Sequence, residues 1–225
     1  MNLEQARFNM IEQQIRPWNV LDAQVLHLLA VIKREDFVPA AHKALAFVDM
    51  EIPLRGSFED ATRLGQCMLA PRVEARMLQD LAVQKHEKVL EIGAGTGYMA
   101  ALLAHRAQRV ITLEIEPALV ELARANLQAS GVHNAEVRLG DGAEGAPVEG
   151  PFDVILLSGS VAEIPHGLLA SLKVGGRLGA IVGEDPVMQA TFVTRTSEAA
   201  YSTLQPWDTV APRLLNFPEP SRFSF

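Results

Sequence analysis

The chain has 225 residues, 48% of them hydrophobic, and a net charge of −7. That composition argues against a disordered chain and against a dedicated nucleic-acid binder, which carries a basic patch. The lone Cys67 excludes an internal disulfide and speaks against a cysteine-based zinc site; no apolar run reaches the roughly 18 residues of a membrane span and the opening MNLEQARFNMIEQQIR lacks a secretory leader, so a cytoplasmic protein is expected.

Residues 2–16 read as an amphipathic helix, with Leu3, Phe8, Met10, Ile11 and Ile15 apolar and Pro17 as its stop. A second helix follows Asp22, a suitable N-cap, with Val25, Leu26, Leu28, Leu29 and Ile32 on its core side. Residues 36–70, with Pro39, Pro53, Gly56 and Gly65, are predicted to be irregular, and connections that long are commonly functional. Pro71 opens another helix with Val73, Met77, Leu78 and Leu81 on its apolar side. From residue 87 strands alternate with helices. Strands are predicted at 88–92, 109–114, 135–139, 152–157 and 176–183, and helices at 98–105, 117–130 (ended by Gly131) and 165–172. Residues 187–196 and 207–215 read as extended. This alternation implies a parallel sheet with helices on both faces. The mainly helical 1–85 segment is expected to cap an α/β core over 86–225, the whole being one domain.

The strongest site signal is Leu90-Glu91-Ile92-Gly93-Ala94-Gly95-Thr96-Gly97, where a strand gives way to a helix. Glycines there permit a tight turn and let a ligand approach the backbone beside helix N–H groups. The glycines alone leave two ligands open. Gly95, Gly97 and Ala100 satisfy the dinucleotide fingerprint, with Glu114 about where a ribose-binding acid belongs, so a nicotinamide dehydrogenase is one reading. Three acids favour S-adenosylmethionine. Glu91 is placed for a methionine-type ammonium, Glu114 ends the second strand beside the expected ribose, and Asp141, between Gly140 and Gly142, is placed for an adenine edge. The C-terminal ends of parallel strands share one crevice, which brings these acids together. A pyrophosphate would be repelled by Glu91.

LEIGAGTGY, TLEIEPALVELA, GDG and IPHGLLASLKVGGRLGAIVG resemble the class I S-adenosylmethionine-dependent methyltransferases. With MIEQQIRPWNVLDAQVL and KREDFVP, the chain resembles more narrowly the protein-L-isoaspartate O-methyltransferases, from about residue 7 to 183. The resemblance implies a doubly wound α/β fold with a mostly parallel seven-stranded sheet and an N-terminal helical cap. It implies that Glu91, Gly93, Ala94, Gly95 and Gly97 hold the methionine part and ribose side of the cofactor. Glu114 and Ile115 would hold the ribose and one adenine face, and Asp141 and Gly142 the adenine; Ser158, at the end of the fourth strand, is also expected to bind the cofactor. The acceptor would be a protein or peptide with an isoaspartyl linkage, whose free carboxylate is methylated to start repair through a succinimide. A monomer or weak homodimer without nucleic-acid, membrane or metal partners is expected.

The acceptor half departs from the family pattern. Gly65-Gln66-Cys67-Met68-Leu69-Ala70-Pro71 stands where the family carries a G-Q-T-I-S-Q-P type motif, so Cys67 replaces a Thr and Leu69 a Ser. Cys67, Leu69 and Ala70 are the expected acceptor-pocket residues. Ser158-Gly159-Ser160 replaces Thr-Ala-Ala, and the ending LLNFPEPSRFSF differs too. These changes leave a small-molecule acceptor, or a catalytically silent binding protein, as alternatives. A carboxylate acceptor is ionised at pH 7 and needs no general base, and the sequence shows no triad. The histidines lack metal-ligand spacing; His166 is the one placed near the crevice. Phe217, Phe223 and Phe225 are expected to pack against the cap.

Overall fold

The computed structural model describes residues 2–146 and 148–219. Phe223 and Phe225 therefore lie outside the described residues. Helix α1 (Leu3–Met10) starts at Asn2, whose side chain accepts from the Glu4 and Gln5 N–H groups at 3.1 and 3.2 Å. The predicted helix continues past α1 in altered form: a π-helical turn over Ile11–Ile15, then a 3₁₀ turn over Arg16–Trp18 that contains Pro17. Asp22 caps α2 (Ala23–Val31) as expected, accepting from Gln24 and Val25.

The 36–70 segment is not irregular. It follows the start of α3 (Arg34–Phe37) and holds a 3₁₀ turn (Ala40–Leu45), β1 (Ile52–Pro53), α4 (Phe58–Arg63) and β2 (Cys67–Met68). Elements this short carry too few residues for a period to show. β1 and β2 pair antiparallel, Ile52 with Met68 and Pro53 with Cys67. Pro71 opens α5 (Pro71–Leu81) as predicted.

The core strands and helices are β3 (Lys88–Ile92), α6 (Tyr98–Arg106), β4 (Arg109–Glu114), α7 (Pro117–Ala129), β5 (Ala135–Leu139), β6 (Phe152–Val161), α8 (His166–Ala170), β7 (Leu172–Glu184), β8 (Val187–Arg195) and β9 (Tyr201–Asp208). The seven strands β3 to β9 form one sheet, in the order β5-β4-β3-β6-β7-β8-β9. β5 to β7 are parallel, while β8 pairs antiparallel with both neighbours. The chain turns back across the sheet beside β3, so the crevice of an open α/β sheet falls at its C-terminal end. Three strand predictions shift: β7 begins at Leu172, four residues before the predicted 176, and α8 ends at Ala170 to make way for it. β6 runs four residues beyond Leu157, with a break in register between Leu156 and Ser160. The last strand is 201–208 rather than 207–215: β9 is an edge strand, largely exposed, and holds Pro206, so it shows no alternation.

Alternation along β3 separates two buried clusters. Val89 joins a cluster with α2, α5, α6, α7 and the N-terminal turns, including Met10, Phe37, Leu78 and Leu102. Leu90 and Ile92 join another with Ile155, Leu157, Leu168 of α8 and Phe217. Phe217 thus packs on the sheet face opposite the N-terminal helices, which corrects the expectation that it packs on the cap. Among the described residues no helix is long and apolar enough to cross a membrane, and no group of three His, Cys, Asp or Glu is arranged to hold a metal.

Candidate active site

β3 ends in the glycine turn. Gly93, Gly95 and Gly97 have φ of 93°, 53° and 83°, conformations that a side chain disfavours. The turn is tied to β4 by the Gly93 and Ala94 N–H groups, which donate to the Leu113 carbonyl at 2.9 and 3.2 Å. Glu114, at the end of β4, accepts from the N–H groups of Gly95, Ile115 and Glu116 at 2.9, 3.0 and 3.1 Å. Asp141 accepts from Ala143 N–H at 2.9 Å and from the Asn216 amide at 2.6 Å. These bonds hold two carboxylates at fixed positions, with Glu114 Oε2 and both Asp141 oxygens each keeping a further lone pair for a ligand donor.

A cavity opens between these strand ends. Gly93, Gly95, Glu114, Ile115, Asp141, Gly142, Ser158 and Cys67 all line it. Its apolar walls are Leu54, Ile92, Leu113, Leu119, Leu214 and Phe217. A second, smaller cavity shares Cys67, Gly93, Gly95 and Ser158 with the first and adds Leu69, Glu74, Glu91, Ala94 and Tyr98. Gly97 and Ala70 line neither cavity. Gly97 starts α6 where a Cβ would stand 3.2 Å from the Ala123 carbonyl, so its place is the close approach of α6 to α7. Ala70 is the buried residue before α5. His166 is exposed at the start of α8 and lines neither cavity.

Glu91 is fully buried. Its Oε1 accepts from the Ser158 hydroxyl at 2.7 Å, and its Oε2 has no partner. Burial pushes this carboxyl up to about 8, against the Ser158 bond. The acid is therefore neutral at pH 7 and would ionise beside a cation. Cys67 is also pushed up, to about 11, chiefly by burial and then by Glu51, so its thiol is no nucleophile at neutral pH.

The donor set fits S-adenosylmethionine. An orphaned buried acid suits an ammonium, a fixed acid at Glu114 suits ribose hydroxyls, and an apolar slot beside Asp141 suits an adenine. Sequence reasoning missed Leu54, Leu214 and Glu74. Glu74 left a signal: it occupies the i position of the apolar set 74, 77, 78 and 81 on α5, where an acid is out of place. Leu54 and Leu214 left none, because they come from short or irregular segments.

The sheet order, the glycine turn and the acid-bearing strand ends define a class I, S-adenosylmethionine-dependent methyltransferase. The family model for protein-L-isoaspartate(D-aspartate) O-methyltransferase matches residues 5–210, and the chain belongs to that family. A protein-L-isoaspartate O-methyltransferase of Koribacter versatilis is 40% identical over 189 residues, covering 84% of this chain and 81% of the relative. One of Methanoculleus marisnigri is 40% identical over 177 residues, covering 79% and 77%. A solved protein-L-isoaspartate O-methyltransferase structure superposes with a TM-score of 0.77 at 23% identity. It covers 91% of this chain, which in turn spans 64% of that longer one. A Plasmodium falciparum structure, solved in complex with S-adenosyl-L-homocysteine, gives 0.73 at 18% identity, covering 92% and 98%. At these identities both structures bear on the fold alone.

Proposed function

We propose that this chain transfers a methyl group from S-adenosylmethionine to the free carboxylate of isoaspartyl residues in proteins and peptides, the first step of their repair. The observation that carries the reading is the reach of the family match. It begins at residue 5 and so includes the N-terminal helices and the 65–71 loop, not only the cofactor turn. We take residues 1–225 as one methyltransferase domain.

When bound, S-adenosylmethionine supplies a methyl on a sulfonium sulfur; the acceptor oxygen forms the new C–O bond while the old C–S pair leaves to sulfur. No proton moves, because the acceptor carboxylate is already ionised. The chain's task is alignment and exclusion of water, where positioning is worth roughly 7–11 kcal/mol in favourable cases. Arg34 serves the alignment. Fully buried, it donates to the Leu69 carbonyl at 2.7 Å and to the Met68 sulfur at 3.3 Å, which fixes the loop at the small cavity. Arg55 reaches from beside β1 to Gln66 at 2.8 Å and Glu116 at 2.7 Å, tying that loop to the end of β4. Glu91 and Glu114 would hold the ammonium and the ribose, with Asp141 at the adenine.

A labelled-methyl assay tests the reading, with an isoaspartyl peptide and its normal aspartyl twin as acceptors. Transfer to the isoaspartyl peptide alone is expected. Tight cofactor binding with no transfer to either would overturn it.

A further inference from the structure

The small cavity beside the glycine turn contains a carboxyl that nothing above uses. Glu74, in the first turn of α5, is 4% exposed and lines this cavity with Cys67, Leu69, Glu91 and Tyr98. Its Oε2 has no hydrogen-bond partner. Arg34 forms a buried ion pair with it at 3.8 Å, beyond hydrogen-bond distance, while its own hydrogen bonds go to the Leu69 carbonyl and the Met68 sulfur. The Tyr98 hydroxyl, also buried, has no partner either. A buried acid with one distant ion-pair partner and no hydrogen bond to this oxygen stays costly unless it is neutral or meets a ligand. A negatively charged acceptor entering here cannot meet an ionised Glu74, but it can accept from a protonated one.

Resting on the reading proposed above, we propose that Glu74, as a neutral carboxyl, donates a hydrogen bond to one oxygen of the acceptor carboxylate and so sets the affinity for it. The other oxygen stays free to take the methyl. Leu69 offers no donor at this wall. Glu74 is a positioning and specificity residue, and no proton leaves it during transfer. The groups facing it are Arg34 of α3, Glu91 of β3, Tyr98 of α6 and Cys67 of β2, with the Arg7–Glu35 pair behind Tyr98. Burial, opposed by Arg34, places Glu74 at about 7, so the donor is present in mildly acid solution and lost above neutrality.

Steady-state kinetics at saturating S-adenosylmethionine, with an N-acetylated isoaspartyl peptide between pH 6 and 9, tests this. In the unaltered enzyme KM for the peptide should rise about tenfold per pH unit above about 7, with kcat changing far less. Glu74→Gln keeps a donor that cannot ionise and should lose that rise. Glu74→Leu has no donor and should raise KM at pH 6 roughly tenfold to a hundredfold, without pH dependence. A pH rise that persists in Glu74→Gln, or an unchanged KM in folded Glu74→Leu, overturns the proposal. Where Glu74→Leu fails to fold, the Glu74→Gln profile decides alone. An unaltered enzyme that binds cofactor and never methylates the peptide sinks the isoaspartyl reading itself, a different outcome from an active enzyme with flat profiles.

Discussion

In the proposed reading, Glu91 sets the terms on which the cofactor's ammonium binds. As a neutral acid at pH 7 it must give up a proton to become the partner of an ammonium. Affinity for S-adenosylmethionine should therefore weaken as pH falls below about 8, approaching tenfold per unit. Calorimetry at pH 7 in buffers of different ionisation enthalpy should register nearly one proton released per cofactor bound. Glu91→Gln should bind more weakly at pH 8 and show neither the pH slope nor the proton release. An unaltered protein whose affinity is level from pH 6 to 8 would mean that Glu91 does not face the ammonium. The sequence placed this carboxylate at the strand end and named a plausible partner. It did not disclose the burial, which depends on Ser158 arriving from β6, 67 positions further along the chain.

At the scale of elements, the C-terminal segment is the part of the site that composition and period left unread. Residues 211–217 fold back over the end of β6. The Ser160 N–H donates to the Pro212 carbonyl at 2.7 Å, Leu214 N–H to the Ser160 carbonyl at 2.9 Å, and the Ser160 hydroxyl to the Ala211 carbonyl at 2.8 Å. This places Leu214 over the turn, and Gly159 makes room for it: a Cβ there would lie 2.8 Å from Leu214 Cγ and 3.0 Å from the Pro212 carbonyl. Ser158-Gly159-Ser160 and the unusual ending, noticed separately in the sequence, are thus two sides of one contact. Nothing local announces it, because the segment has no period and pairs through a single bridge, Arg213 with Ser160. The core strands at 88–92, 109–114 and 135–139 and the Asp22 cap were legible because alternation and capping are local. Gly159→Val should displace the segment and weaken cofactor binding roughly tenfold, with a loss of about 1–3 kcal/mol in stability from overpacking. Gly131→Ala is the comparison, since its Cβ would meet nothing within 4 Å, although its φ of 69° costs some stability. Calorimetry and thermal melts on both variants check this: an equal loss of cofactor affinity in the two would mean that the segment does not shape the cavity.

For the whole molecule, two buried acids tilt the dependence of stability on pH. Glu74 and Glu91 bind their protons more tightly folded, at about 7 and 8, than unfolded, near 4.5. The folded chain therefore holds more protons than the unfolded one across that window, and stability falls as pH rises through it, by up to about 1.4 kcal/mol per unit for each group. The surface acids held low by partners act oppositely and in another window. Glu136, lowered to about 2 by hydrogen bonds from Arg138 and Arg109, and Glu12, Asp60 and Glu149 lose their contribution only as pH falls below the usual carboxylate range. They are half-buried or exposed, and solvent screening keeps their effect small. The melting temperature should accordingly peak near pH 5 and decline toward pH 8.5, and Glu91→Gln should flatten the decline by about half. S-adenosylmethionine acts against the same slope, because a cation that favours ionised Glu91 removes the proton difference at that residue. Its stabilising effect at fixed concentration should be larger at pH 8 than at pH 6, a trend that thermal melts with and without cofactor would reveal. Equal stabilisation at both pH values would place the binding energy elsewhere than on this carboxylate.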